Sequence, residues 1–121
     1  MIPRVVKPSE GAEYATPELC RILESWNDPV DPAVSIARAR VAPGITTKLH
    51  RLRGVVERYV VLRGTGRVHV GEAIEQEVAP GDVVIIPAGI TQRIANTGDA
   101  DLVFYCICTP RFTQESYESL E

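Results

Sequence analysis

The amino-acid sequence predicts an all-β protein, a sandwich or a barrel, and three observations carry that expectation. Its apolar runs are short and rich in β-branched residues. Gly, Pro, Asn or Asp separates each run from the next. Helical periodicity finds only two footholds, one at each end of the chain.

Taken in order, Val34 to Val41 is a strand closed by Pro43-Gly44, and Arg58 to Leu62 is a second that ends at the hairpin signal Arg63-Gly64-Thr65-Gly66. Arg67-Val-His-Val70 alternates polar and apolar residues and stops at Gly71-Glu72. Ala73 to Ala79 leads into Pro80-Gly81-Asp82, a turn with Pro and Gly where a turn needs them. Val83-Val-Ile-Ile86 is wholly apolar and ends at Pro87. Ile90 to Ala95, the turn at Asn96 to Asp99, and Asp101 to Thr109 complete a set of seven or eight strands. Thr16-Pro17-Glu18 fits the start of a short helix reaching Glu24, but the alternation of Leu19, Arg21 and Leu23 suits an added strand equally well. Thr113 to Glu121 is expected to form a turn or two of surface helix.

The chain's 121 residues fit one domain, and 45% hydrophobic with 24% charged residues describe an ordinary globular protein. A net charge of -3 with dispersed arginines gives no reason to expect nucleic acid as a partner. No apolar stretch approaches the roughly 18 residues that cross a bilayer, and the N-terminus lacks the apolar core of a signal peptide. The expected location is therefore the cytoplasm. Cys20, Cys106 and Cys108 are odd in number and without a CxxC pair, so reduced, buried packing thiols are expected.

Two segments carry a resemblance. Pro43-Gly44-Ile-Thr-Thr-Lys-Leu-His50-Arg-Leu52 continues to Glu57 and closes at Gly64. Gly81 is followed by Pro87-Ala-Gly89, then Gln92, then Asn96. Together they resemble the paired motifs of the cupin superfamily, in the right order and at the right spacing. The stretch from Ser35 to Gly44 resembles the strand that precedes the first motif in germin-like cupins. The resemblance covers about residues 33–109, leaving an N-terminal arm (1–32) and a C-terminal tail (110–121). It implies a double-stranded β-helix, a jelly-roll barrel of two facing antiparallel sheets.

The family's metal sites typically use three histidines and a glutamate. Here Leu52 stands for the second histidine and Gln92 for the third. The resemblance therefore implies His50, Glu57 and Gln92 as ligands of a divalent ion (Mn, Fe, Ni or Zn) if a metal is bound at all. Alternation places His50, Glu57, Tyr59, Gln92 and Ile94 on one face of their strands. If that face is the interior, Glu57 is costly to bury unless paired, hydrogen-bonded or metal-bound. Arg38, Tyr59, Ile94 and Cys106 are the candidate substrate-contacting residues, with Arg38 either a fork for a carboxylate at the barrel mouth or an outward residue paired with acids. His69 is expected on the wet face, and Arg93, out of phase with Gln92, outside the barrel.

Two functions follow. One is a metal-dependent enzyme (dioxygenase, isomerase or lyase) acting on a small oxygen-rich or carboxylated molecule; the other is a non-catalytic small-molecule-binding or sensor barrel with a degenerate metal site. Fold alone does not choose between them. Because Tyr59–Leu62 and Val83–Ile86 have no clean polar face, both their sides are expected to be covered, which predicts a homodimer.

Overall fold

A computed structural model describes residues 1–121. Eleven strands form two antiparallel sheets. The first contains β1 (Tyr14–Ala15), β2 (Arg21–Trp26), β3 (Ser35–Val41), β10 (Leu102–Thr109), β5 (Val56–Arg63) and β8 (Val83–Ile86), in that spatial order. The second runs β11 (Tyr117–Ser119), β4 (His50–Leu52), β9 (Gln92–Asn96), β6 (Gly66–Val70) and β7 (Ile74–Val78). Helix is confined to two single 3₁₀ turns, Glu10–Ala12 and Gln114–Ser116. The fold is a double-stranded β-helix.

Period-two burial follows from strand geometry. Along β5, Glu57, Tyr59 and Val61 face inward between half-buried or exposed neighbours, and along β9 Gln92, Ile94 and Asn96 do the same. The inward residues build one cluster of thirteen, including Ile86, Ile94, Leu102, Val61 and Phe104. Each fully buried aliphatic side chain there stabilises the fold by roughly 1.5–3 kcal/mol. Leu52 belongs to a separate small cluster with Val55 and Cys108, packed against Phe112 and Tyr117. The close of the first motif has a steric reason for its glycine. Gly64 sits at φ 82°, and a Cβ there would lie 2.7 Å from the Asp101 carbonyl oxygen.

Both chain ends join the barrel as strands. The N-terminal segment forms β1 and β2, and β2 pairs with β3 through Arg21↔Arg40 and Leu23↔Arg38. At the C-terminus the expected surface helix is replaced by β11, which pairs Tyr117 with Leu52 and Ser119 with His50. The reason is local. β4 offers a free edge, and Arg51 reaches across to Glu118 through two hydrogen bonds of 2.9 and 3.0 Å. A lone exposed helix of that length would have had no such partner.

The apolar strands are not covered on both sides within the chain. On β8, Val84 and Ile86 are buried, while Val83 and Ile85 are each 55% exposed on the outer face.

Candidate functional site

The register of the two sheets decides which side chains meet. Across β5 and β10, Tyr59 lies opposite Cys106 and Glu57 opposite Cys108. In the facing sheet His50 lies opposite Gln92. Between the sheets is a cavity of about 240 Å³ whose wall includes His50, Glu57, Tyr59, Ile94 and Cys106. Five of the seven positions expected at the site therefore converge.

The other two do not. Arg38 points away from the cavity, since Ser35, Ala39 and Val41 take the inward phase of β3. Its guanidinium is bound by Glu10 at 2.7 and 2.6 Å and by Glu13 at 3.0 Å. The N-terminal arm has claimed the cation, the outward alternative of the two read from the sequence. Gln92 faces inward but sits behind the wall, with no exposed surface. Its carbonyl oxygen accepts the Tyr59 hydroxyl, so Gln92 positions the tyrosine. His69 lies on the outer face of β6, 3.1 Å from Glu75, and Arg93 is likewise outside the barrel.

Two acidic residues at the cavity, Glu18 and the exposed Glu24, were not singled out from the sequence. Glu18 enters from the turn between β1 and β2, a turn held by Thr16 N–H to Cys20 O at 2.9 Å and Lys48 N–H to Glu18 O at 3.1 Å. Leu19, next to it, adopts φ 74°, a left-handed conformation that costs a non-glycine residue about 1 kcal/mol or more. Glu18 Oε1 accepts the Cys20 thiol at 3.2 Å, and its Oε2 lies 3.3 Å from His50 Nδ1. The signal that could have found it is weak: an acid beside a proline in a segment that reads as either helix or strand.

His50 has a defined tautomer. Nδ1 lies 2.8 Å from the Lys48 carbonyl oxygen, which can only accept, so Nδ1 carries the hydrogen in the neutral ring. That leaves Nε2 as an acceptor without a hydrogen-bond partner in the chain. Tyr117 stacks on the ring at 5.2 Å between centroids. Burial and the nearby Glu18 push the Tyr117 hydroxyl up to about 12.

Glu57 is only 8% exposed. Its Oε2 has one long contact, 3.8 Å from Cys108 Sγ, and its Oε1 has no hydrogen-bond partner in the chain. Burial raises its pKa; the Gln92 amide, His50 and Cys106 pull it back, and Glu18 adds to the rise. Burial likewise holds Cys20, Cys106 and Cys108 as protonated free thiols.

As a metal site this arrangement falls short. His50 Nε2 and Glu57 Oε1 are good donors, but Leu52 brings none. Gln92 has committed its oxygen to Tyr59, and an amide NH₂ does not ligate metals. No three His, Cys, Asp or Glu side chains converge as one ion would require.

With fold and cavity described, the class is that of small β-barrels carrying a pocket between two sheets. The family described as cupin domain matches residues 37–108, and the chain belongs to it. It is 34% identical over 71 residues to a protein of Thermotoga maritima named oxalate-binding protein, an alignment covering 59% of this chain. The chain thus spans little more than half (58%) of that curated relative. Among solved structures it resembles a predicted oxalate decarboxylase of Thermotoga maritima, with TM-score 0.78 and 25% identity over 88% of this chain and 99% of that one. It also resembles the capsular polysaccharide assembling protein CapF of Staphylococcus aureus, with TM-score 0.75 and 26% identity over 90% of this chain and 34% of that one. No helix of the chain is long and apolar enough to cross a membrane.

Proposed function

We propose that this protein is a small-molecule-binding barrel that receives its ligand directly on side chains of the inter-sheet cavity. The observation that supports this most is Glu57 Oε1. It is a buried carboxylate oxygen with no partner in the chain, in the wall of a cavity of about 240 Å³ that His50 also lines. Pockets of this kind combine a mainly apolar wall with a few convergent polar groups. Fourteen of the twenty-four wall residues here are hydrophobic, and the polar ones include His50, Glu18 and Glu57.

A second reading is a divalent ion held by His50 Nε2 and Glu57 Oε1, with the ligand on the ion. It is favoured by the same unpartnered oxygen and by the relative named for oxalate. The chain's own chemistry makes oxalate a poor occupant without a cation, because the cavity wall contains carboxylates and no lysine or arginine. The test is an NMR titration of the full chain, before and after chelation, with oxalate and neutral and cationic fragments. Direct binding predicts shifts at Tyr59, Ile94 and Cys106 that survive chelation. Binding that disappears with chelator and returns with manganese or zinc would establish the second reading in its place.

Assembly belongs to the same proposal. Val83 and Ile85 line an exposed apolar strip on the outer face of the six-stranded sheet, beside Tyr105. A second copy of the chain is the proposed cover. Light scattering at micromolar concentration should give twice the chain mass, and Ile85→Glu should halve it. A wild-type monomer rules out this assembly.

A further inference from the structure

From the composition of the cavity wall we infer that the ligand is a small organic cation, an amine or quaternary ammonium, held between aromatic faces and carboxylates. The inference rests on the small-molecule reading above and adds the ligand's charge class.

Three observations carry it. The chain has one tryptophan, four tyrosines and two phenylalanines, and five of these seven line one cavity: Tyr14, Tyr59, Phe104, Phe112 and Tyr117. Apolar packing accounts for part of that gathering, since the main cluster takes Tyr59 and Phe104 and the smaller one packs against Phe112 and Tyr117; all four nonetheless also line the cavity, and Tyr14 belongs to neither cluster. Aromatic faces carry negative potential and attract ammonium groups, more strongly where water is displaced.

The charges in the wall point the same way. Glu18, Glu24 and Glu57 line the cavity, and no lysine or arginine does, although the chain has thirteen such residues. The guanidiniums on β3, Arg38 and Arg40, are committed outside to Glu10, Glu13 and Asp101, and Arg58, between Glu57 and Tyr59, donates to the Val56 carbonyl and the Thr109 hydroxyl. An anionic ligand would face three carboxylates with only the His50 imidazole in the wall to set against them; a cation would complete them.

The third observation is that two of those carboxylates hold unused acceptors. Glu57, more than nine-tenths buried, has Oε1 without a partner in the chain. Glu18 Oε2 is also buried and unpaired: His50 Nδ1 lies 3.3 Å away, but its hydrogen is directed to the Lys48 carbonyl. Buried acceptors normally have donors. An ammonium group supplies N–H donors and positive charge together, and Glu18 is delivered to this place by a turn that accepts the strained conformation of Leu19.

The experiment is an NMR titration of the full chain, in chelator, with three probes of nearly equal size: benzylammonium, benzyl alcohol and benzoate. Benzylammonium should bind at least about tenfold more tightly than benzoate, about 1.4 kcal/mol. Glu18→Gln and Glu57→Gln, each checked for folding by its thermal melt, should cut that preference at least about threefold. The wild-type ranking does not depend on either variant folding. If benzyl alcohol or benzoate binds as tightly as the ammonium, the charge assignment is wrong and the cavity reading stands. If no probe shifts a cavity resonance, both are overturned.

Discussion

Glu13, half-buried near the surface, and Glu57, inside between the sheets, are carboxylates in opposite circumstances: one is saturated with partners and the other has almost none. Glu13, on the N-terminal arm, accepts Arg21 at 2.9 Å, Arg38 at 3.0 Å and Arg40 at 3.1 Å. Burial alone would raise its pKa, but the three guanidiniums outweigh that and hold it at about 2. Glu57 has one long thiol contact, with the Gln92 amide and His50 nearby, and burial outweighs them, so its pKa is raised. A charge whose partners lie within the chain serves the fold. A charge held inside a cavity without them costs stability, the cost on which the proposal of a ligand at Glu57 rests.

Breaking the saturated site should have the larger effect. Glu13→Gln leaves three arginines, two of them mostly covered, without their shared anion. The full displacement of the Glu13 pKa from 4.5 to about 2 would correspond to about 3 kcal/mol, and solvent screening reduces the expected loss to about 1–2 kcal/mol. The sign with pH follows from a depressed folded pKa. The stabilisation is complete above the ordinary value of 4.5 and fades as pH falls toward about 2, so wild type and variant should converge in acid. Urea titrations across that range check both statements.

Glu57→Gln should move stability the other way and by less, a gain of about 1 kcal/mol at neutral pH. Here the folded pKa is raised, so the unfolded chain releases its proton first. The penalty is absent below the ordinary value of 4.5 and grows as pH rises through the folded pKa. The variant's advantage should therefore vanish near pH 4 and appear in melts at pH 7. A loss of stability at neutral pH would show Glu57 to be as well partnered as Glu13, and the contrast between them would fail.

How much of this was legible in the sequence depends on whether the deciding interaction is local. The strands from Val34 to Thr109 were readable because turn residues bound them and side-chain alternation sorts their faces. Glu57 with Tyr59, and Gln92 with Ile94, were readable as sharing faces because spacing along a strand fixes phase, and the resemblance supplied the expectation that those faces and His50 point inward. Arg38 was open in the same terms, since alternation says that Arg38 and Arg40 share a face but not which one. Glu18 was missed because a turn residue has no phase, and its approach to His50 depends on how β1 and β2 dock.

The sequence by itself determined the run of strands from Val34 to Thr109 and the paired motifs, with leucine at 52 and glutamine at 92, because each is a matter of residue type at a fixed local spacing. Only the tertiary structure decided three further things. It turned the tail into β11 over His50, gave Arg38 to Glu10 and Glu13, and let Gln92 spend its oxygen on Tyr59. Each of these is a competition among partners distant in the sequence: Glu10 and Arg38 are 28 residues apart, Tyr59 and Gln92 are 33. Which donor finds which acceptor is settled by the register and packing of whole strands, and no local pattern records that outcome.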